Sequence, residues 1–283
     1  NPILSLITNI SDDHKQILGE TLEEIASEKA GIIKDKVPVI ISTTQDKIDQ
    51  IFKEKAHSHQ SEIYFADQNY QIINSKQYSN YQKIEIEPKN EVLGTKTYQL
   101  DLRGTYQRFN ILGVIQAVEI LNKQHFIVSD SAVELGLKKV IKNTGLLGRW
   151  QKIGINPLII CDTGHNYAGV TEVLKNIQLQ KFRKLHIVLG FVKDKDVSNI
   201  LKLLPQGATY YFCNAQITRA LESKDLQSMA AKIQLQGSYY PSVADAFNQA
   251  KLNAEKEDFI FIGGSTFIVA DLLKYLKYKR ING

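Results

Sequence analysis

Two cysteines, one methionine, one tryptophan and six prolines are all that this chain of 283 residues holds of those types. Cys161 and Cys213 fall in apolar runs, where a thiol behaves as a small hydrophobe, so no disulfide framework is indicated. No apolar run approaches the ~18 residues that span a bilayer, and the opening residues lack the basic and apolar regions of a signal peptide. The sequence therefore gives no reason to expect a membrane partner and reads as cytoplasmic. The signatures G-x-S-x-G, H-E-x-x-H and C-x-x-C are absent, which leaves hydrolase, metalloprotease and dithiol redox chemistry without support. Lys and Arg number 35 against 30 Asp and Glu, a net +5. That excess favours small anionic ligands and is too mild and scattered for nucleic acid. The one methionine is Met229, so Asn1 is not a translation start unless a leader was removed, and a fragment is expected. Nothing calls for a second copy, and a monomer is the expectation.

What is present is ordinary globular composition, 43% hydrophobic and 23% charged, enough for two cores. The run from Ile3 to Ile33 begins as a buried strand, passes a polar turn holding Asp12, Asp13 and His14, and ends in a helix. Thr21 and Glu24 form the S/T-x-x-E capping box that starts that helix. Leu22, Ile25, Ala26 and Ile33 follow helical spacing, and Lys29 falls on the same stripe. A lysine on a core face either snorkels to water or, desolvated, loses its proton more easily and enters covalent chemistry.

Val37 to Ser42 reads as a strand, Gln45 to His59 as a helix and Glu62 to Ala66 as a short strand, an alternation that favours a parallel sheet with covering helices. His57 and His59 sit at that helix's end, where a cation complements the dipole, and need no metal. Gln71 to Leu102 alternates apolar and polar residues and reads as antiparallel hairpins. Tyr106 to Asn122 is apolar nearly all round and reads as a buried helix, followed by another after Ser129. Residues 144–147 read as a hinge, with residues 1–144 and 145–283 as the two domains.

The second half predicts a regular succession: strand Pro157 to Asp162, helix Ala168 to Gln180, strand Leu185 to Gly190, helix Asp196 to Leu204, strand Ala208 to Asn214 and helix Ser223 to Ile233. A short strand at Ser238 to Tyr240, a helix from Val243, the strand DFIFIGG and a helix from Thr266 complete it. The fold class is α/β, with an open doubly wound sheet whose ligands gather beyond the strands' carboxyl ends. Asp162 and His165 lie at such an end, and Arg149 precedes the strand. Taken alone, Asp162 and His165 also read as a helix cap and a satisfied turn histidine. Lys193, Asp194, Lys195 and Asp196 form a charged loop after the next strand, read as solvated or as contacts for an acidic tail, while Arg219 and Ser265 mark two further strand ends.

The run N-I-S-D-D-H-x-x-x-L-G, followed by E-K-A-G-I-I-K, resembles the folylpolyglutamate synthases and dihydrofolate synthases of the Mur ligase superfamily. The resemblance implies a partial central ATPase domain, a mixed sheet with helices, over residues 1–144 and a Rossmann-like C-terminal domain over residues 145–283. It implies that Lys29 is carbamylated and that His14 and Lys29 serve magnesium. Gln107 and Asn110 match H-Q-x-x-N, whose asparagine hydrogen-bonds adenine, although Tyr106 stands where histidine is common. Arg149 matches a G-R that contacts ATP phosphates. Asp162 and His165 match D-G-A-H-N-P, for ribose and for the phosphate and metal region, with Thr163 and Tyr167 as departures. The implied reaction is ATP- and magnesium-dependent joining of L-glutamate to a folate or dihydropteroate through an acyl phosphate. The family's G-x-x-x-x-G-K-[ST] loop is absent, so the chain is expected to fold without turning over ATP by itself. A Mur-type amino-acid ligase of cell-wall synthesis and a non-catalytic remnant binding module are the alternatives.

Overall fold

The computed structural model describes residues 2–12, 18–89, 94–193 and 195–282. The chain divides into two compact units, Asn1–Leu146 and Leu147–Gly283.

Unit 1 begins with the strand β1 (Ser5–Ile7), the helix α1 (Leu22–Ala30), β2 (Val39–Ile41), α2 (Asp49–Ser58) and β3 (Ile63–Phe65). The three strands pair in parallel in the order β1-β2-β3. The capping box forms as the sequence predicts: Thr21 Oγ1 accepts from the Glu24 amide at 3.2 Å and Glu24 Oε2 accepts from the Thr21 amide at 3.1 Å. Successive β2 side chains point to opposite faces. Val39 and Ile41 meet Ile25, Ala26 and Ala30 of α1 and Phe52 of α2, while Ile40 enters a second core.

That second core lies under α3 (Ala66–Asn69) and the antiparallel sheet of β4 (Tyr70–Gln77), β5 (Gln82–Pro88) and β6 (Lys96–Leu100), the hairpins anticipated from the alternation. Ile84, Ile86, Tyr98 and Leu100 face Ile111, Leu112 and Ile120 of α4 (Gln107–Lys123). One expectation fails here. The helix buries a single stripe and leaves Phe109 and Val114 exposed, because the core covers one side of it only. A Cβ on Gly113 would lie 2.1 Å from Ser42 Oγ, so the missing side chain lets α4 settle against the end of β2. Two short helices, α5 (Asp130–Lys138), capped by Ser129, and α6 (Val140–Thr144), close the unit.

Unit 2 is one six-stranded sheet of β7 (Gln151–Gly154), β8 (Leu158–Cys161), β9 (Leu185–Leu189), β10 (Thr209–Cys213), β11 (Gly237–Tyr240) and β12 (Phe259–Gly263). The order is β11-β10-β9-β12-β8-β7. All pairings are parallel except β7 with β8, an edge strand absent from the sequence reading because its four residues carry little apolar signal. One face, with Ile160, Ile187, Tyr210 and Phe261, is covered by α7 (Tyr167–Gln178), α8 (Val197–Leu201) and α9 (Ser223–Ala231). The other, with Cys161, Val188, Tyr211 and Ile262, is covered by α10 (Val243–Asn253) and α11 (Thr266–Asn282). Burial on both faces gives the near-continuous apolar strands LHIVL and FIFIG. Each fully buried Ile or Phe there contributes about 1.5–3 kcal/mol. Among the described residues, no helix is long and apolar enough to cross a membrane.

Candidate functional site

The helices of unit 2 fix where a ligand can enter. The chain leaves β8 and β9 toward one face of the sheet and leaves β12, which lies between them, toward the other. Crevices therefore open on both sides of β12 at the carboxyl ends. Gly264 has φ +90°, and a Cβ there would stand 2.7 Å from the Gly190 carbonyl oxygen, so the two strand ends approach backbone to backbone.

Asp162, at the end of β8, is 2% exposed, and its oxygens are engaged by main chain: Oδ2 accepts from the Trp150 amide at 2.6 Å and Oδ1 from the Gly164 amide at 2.8 Å. A carboxylate so placed holds loops in register, and its surroundings favour that role over the direct ribose contact the resemblance implies. The loop it holds is strained. Gly148 has φ +73° and Trp150 φ +46°, the latter in a region that bulky residues rarely occupy. Burial sustains Trp150 there, with its indole 6.3 and 6.2 Å from the rings of Phe259 and Phe261.

Between those two residues Arg149 is exposed, and its guanidinium donates to Thr163 Oγ1. Thr163 also gives its amide to the Gly148 carbonyl at 2.9 Å and its carbonyl to His165 Nδ1 at 3.0 Å. A carbonyl only accepts, so Nδ1 carries the proton and Nε2 is the acceptor in the neutral ring. Arg149 and His165 thus share one anchor, and four donors of the guanidinium fork remain to meet an anion. Sequence reasoning treated Thr163 as a mere departure and passed over Trp150. The only tryptophan of the chain, directly after a candidate arginine, was the available signal.

Two further strand ends meet nearby in the topology. The Lys193 amide donates to the Arg219 carbonyl at 3.0 Å and the Leu221 amide to that of Phe191 at 3.0 Å, joining the loops after β9 and β10. The Arg219 guanidinium lies 4.9 Å from the ring centre of Phe267, in the first turn of α11. Ser265 is buried and accepts from the Phe267 amide at 3.2 Å, and Asp196 caps α8. Asp194 lies outside the described residues.

In unit 1 the structure corrects the placement of Lys29. The side chain is exposed, with no hydrogen bond or ion pair among the described residues. Its angle on the helix is the one the stripe gives. At that level, however, Ala26, Ala30 and Ile33 fill the core, and the amine in the last turn extends to water beside the helix's negative end. The desolvation argument for a reactive amine falls with this. Asp13 and His14 lie outside the described residues. Asn110 is half-buried, its Nδ2 donating to Gln107 Oε1 at 2.9 Å, which fixes the amide and leaves its oxygen as an acceptor. His59 Nδ1 pairs with the Asp35 carboxylate. Among the described residues no group of three His, Cys, Asp or Glu side chains could hold a metal ion. An ammonium repels a cation, so the described donors do not by themselves fit magnesium.

Residues 1–118 match the family model for the Mur ligase middle domain, and residues 148–266 that for the Mur ligase glutamate ligase domain. A relative named dihydrofolate synthase/folylpolyglutamate synthase, from Bacillus subtilis, is 30% identical over 280 residues, covering 98% of this chain and 63% of that protein. Folylpolyglutamate synthase of Mycobacterium tuberculosis, solved with ADP and AMPPCP, has a TM-score of 0.82 at 22% identity, over 98% of this chain and 64% of that one. E. coli FolC, solved with DHPP and ADP, has a TM-score of 0.77 at 22% identity, over 98% of this chain and 62% of that one. The chain thus spans a little under two thirds of the length of these relatives, and the solved structures establish the fold. Matched in each of its two units by a Mur ligase domain, the chain belongs to the Mur ligase family.

Proposed function

We propose that this chain supplies the middle and glutamate-ligase portions of an ATP-dependent ligase that joins L-glutamate to a dihydropteroate or a folate. The observation that carries the reading is the Gly148–Trp150 turn, tied to Asp162 and Thr163 so that Arg149 is exposed and fixed at a strand's carboxyl end. The glutamate ligase domain match over the same residues and the names of the relatives agree with it.

In this reaction a carboxylate of the acceptor takes the γ-phosphoryl group of ATP, and the amine of glutamate displaces phosphate from the acyl phosphate. Positioning and charge neutralisation do most of the work. Arg149 forks onto phosphate oxygens and stabilises the charge that develops as the phosphoryl group moves. His165, with Nε2 the acceptor, orients a donor beside that group. Asp162 acts through Arg149, as the residue that positions the turn. Asn110 offers its fixed amide oxygen to the amino edge of adenine. Magnesium, when bound, would neutralise phosphate charge. Lys29 can serve it only as a carbamate, whose oxygens a hard cation accepts, and His14 is the partner the resemblance implies. Lys193 and Arg219 would meet the carboxylates of the amino acid. A monomer in the cytoplasm belongs to the same reading.

The test is ADP release from the longer protein that carries this chain. Release that requires both a folate or dihydropteroate and L-glutamate supports the proposal. Release that instead requires a cell-wall precursor, or no ATP turnover at all, removes it. The 283-residue chain alone is expected to show none.

A further inference from the structure

In unit 1 the antiparallel sheet does not close flat on α4. A cavity of about 660 Å³ lies between them, walled by β5, β6, the C-terminal half of α4 and the start of α5. That volume lies within the range typical of small-molecule sites, and two features distinguish the cavity from a packing void.

The first is Tyr98, which lines the cavity, is 7% exposed and makes no hydrogen bond among the described residues. Its hydroxyl, without a protein acceptor and not shut off from water, has a hydrogen bond to give to whatever enters the cavity. Burial pushes its pKa up, so it is a proton donor at neutral pH. The second is Glu119 on the same lining, which collects Tyr70 Oη at 2.6 Å, Gln116 Nε2 at 2.8 Å and Lys123 Nζ at 2.6 Å. Gln116 is fully buried and is braced by Asn69 Nδ2 at 2.6 Å, so the carboxylate cannot wander. Burial alone would raise its pKa, but the hydrogen bonds from Lys123 and Tyr70 outweigh it, and the group is held below its ordinary value, ionised. Of its roughly four lone-pair positions three are taken and one, on Oε1, is open.

A fixed anion with one open position, a phenol without an acceptor and walls that include tyrosine rings together fit one chemistry. It is a flat ring that carries an N–H donor on one edge and a nitrogen or carbonyl acceptor on another. We infer that this cavity binds an aminated nitrogen heterocycle of the purine or pteridine type, its N–H donating to Glu119 and its acceptor receiving the Tyr98 hydroxyl. Glu119 lies nine residues beyond Asn110 on α4, about 13 Å along the axis, so this is not the adenine contact proposed above. The inference does not depend on the ligase reading.

Calorimetric titration of the 283-residue chain with adenosine and, separately, with neopterin distinguishes the two sources. One of the probes is expected to saturate a single site per chain. Tyr98→Phe and Glu119→Gln should each raise its Kd about tenfold. Val118→Trp, which fills the cavity from α4, should abolish binding, and Lys224→Ala, at an exposed position of unit 2, should leave it unchanged, with circular dichroism reporting the fold of each variant. Saturation by neither probe, wild-type affinity in Tyr98→Phe, or loss of binding in Lys224→Ala each overturns the inference. Should Glu119→Gln not fold, Tyr98→Phe decides, since it removes one oxygen and no packing.

Discussion

The turn at Gly148–Trp150 and the end of α1 at Lys29 each present a cation to solvent, and they are built in opposite ways. Arg149 is flanked by two residues of positive φ, locked by a buried carboxylate below and by a threonine at its own guanidinium. Lys29 lies in the last turn of a nine-residue helix, and its amine makes no hydrogen bond or ion pair among the described residues. The difference teaches what to ask of a candidate site residue. A charge at a promising position is common, whereas a charge whose surroundings over-determine its direction at a cost in backbone strain is not.

Four variants sharpen that contrast. Asp162→Ala removes a buried acceptor from two amides, and a loss of about 3 kcal/mol is expected in urea unfolding of the chain. A change below about 1 kcal/mol would mean that the tie is not what holds the turn. Asp258 offers a control at the opposite, amino-terminal end of the sheet. It is buried and bonded to Arg183 at 3.0 and 3.2 Å and to His186 at 3.4 Å, and the Arg183 guanidinium above all holds its carboxyl far below the usual range. Its stabilisation is therefore full above its unfolded pKa, near 4, and is lost as pH falls further toward the depressed folded value. Asp258→Asn should cost about 2 kcal/mol at pH 7 and flatten the acid side of a stability-pH curve. An unchanged acid limb would show that the pair is not what fails first. Thr163→Val removes one hydroxyl from Arg149, and a loss of about 1 kcal/mol is expected by thermal melting. Lys29→Ala should change stability by less than about 0.5 kcal/mol, and a loss of several kcal/mol would restore the buried lysine that the sequence suggested.

Legibility followed the range of the physics involved. The capping box at Thr21 and Glu24 is local, and it formed at the predicted residues. The alternation of strands and helices in unit 2 is a pattern over tens of residues, and each strand from β8 to β12 lies where it was expected. What failed depended on partners far along the chain. A helical stripe gives the direction of Lys29 but not that Ile33, beyond the helix, fills the core at its level. The strand β7 exists through its pairing with β8, and its own residues say little. The tie between Asp162 and the Trp150 amide, 12 residues apart in the chain, likewise left no local signal.

The most direct measurement is steady-state ADP release by the longer protein carrying this chain, with Arg149→Ala against wild type and thermal melting as the control. A fall in turnover of about 100-fold or more is predicted, with a melting temperature no lower than that of Thr163→Val, because the exposed side chain gives up that one hydrogen bond and otherwise only charge stabilisation. Wild-type turnover in that variant would contradict the claim that the strained turn exists to present this guanidinium.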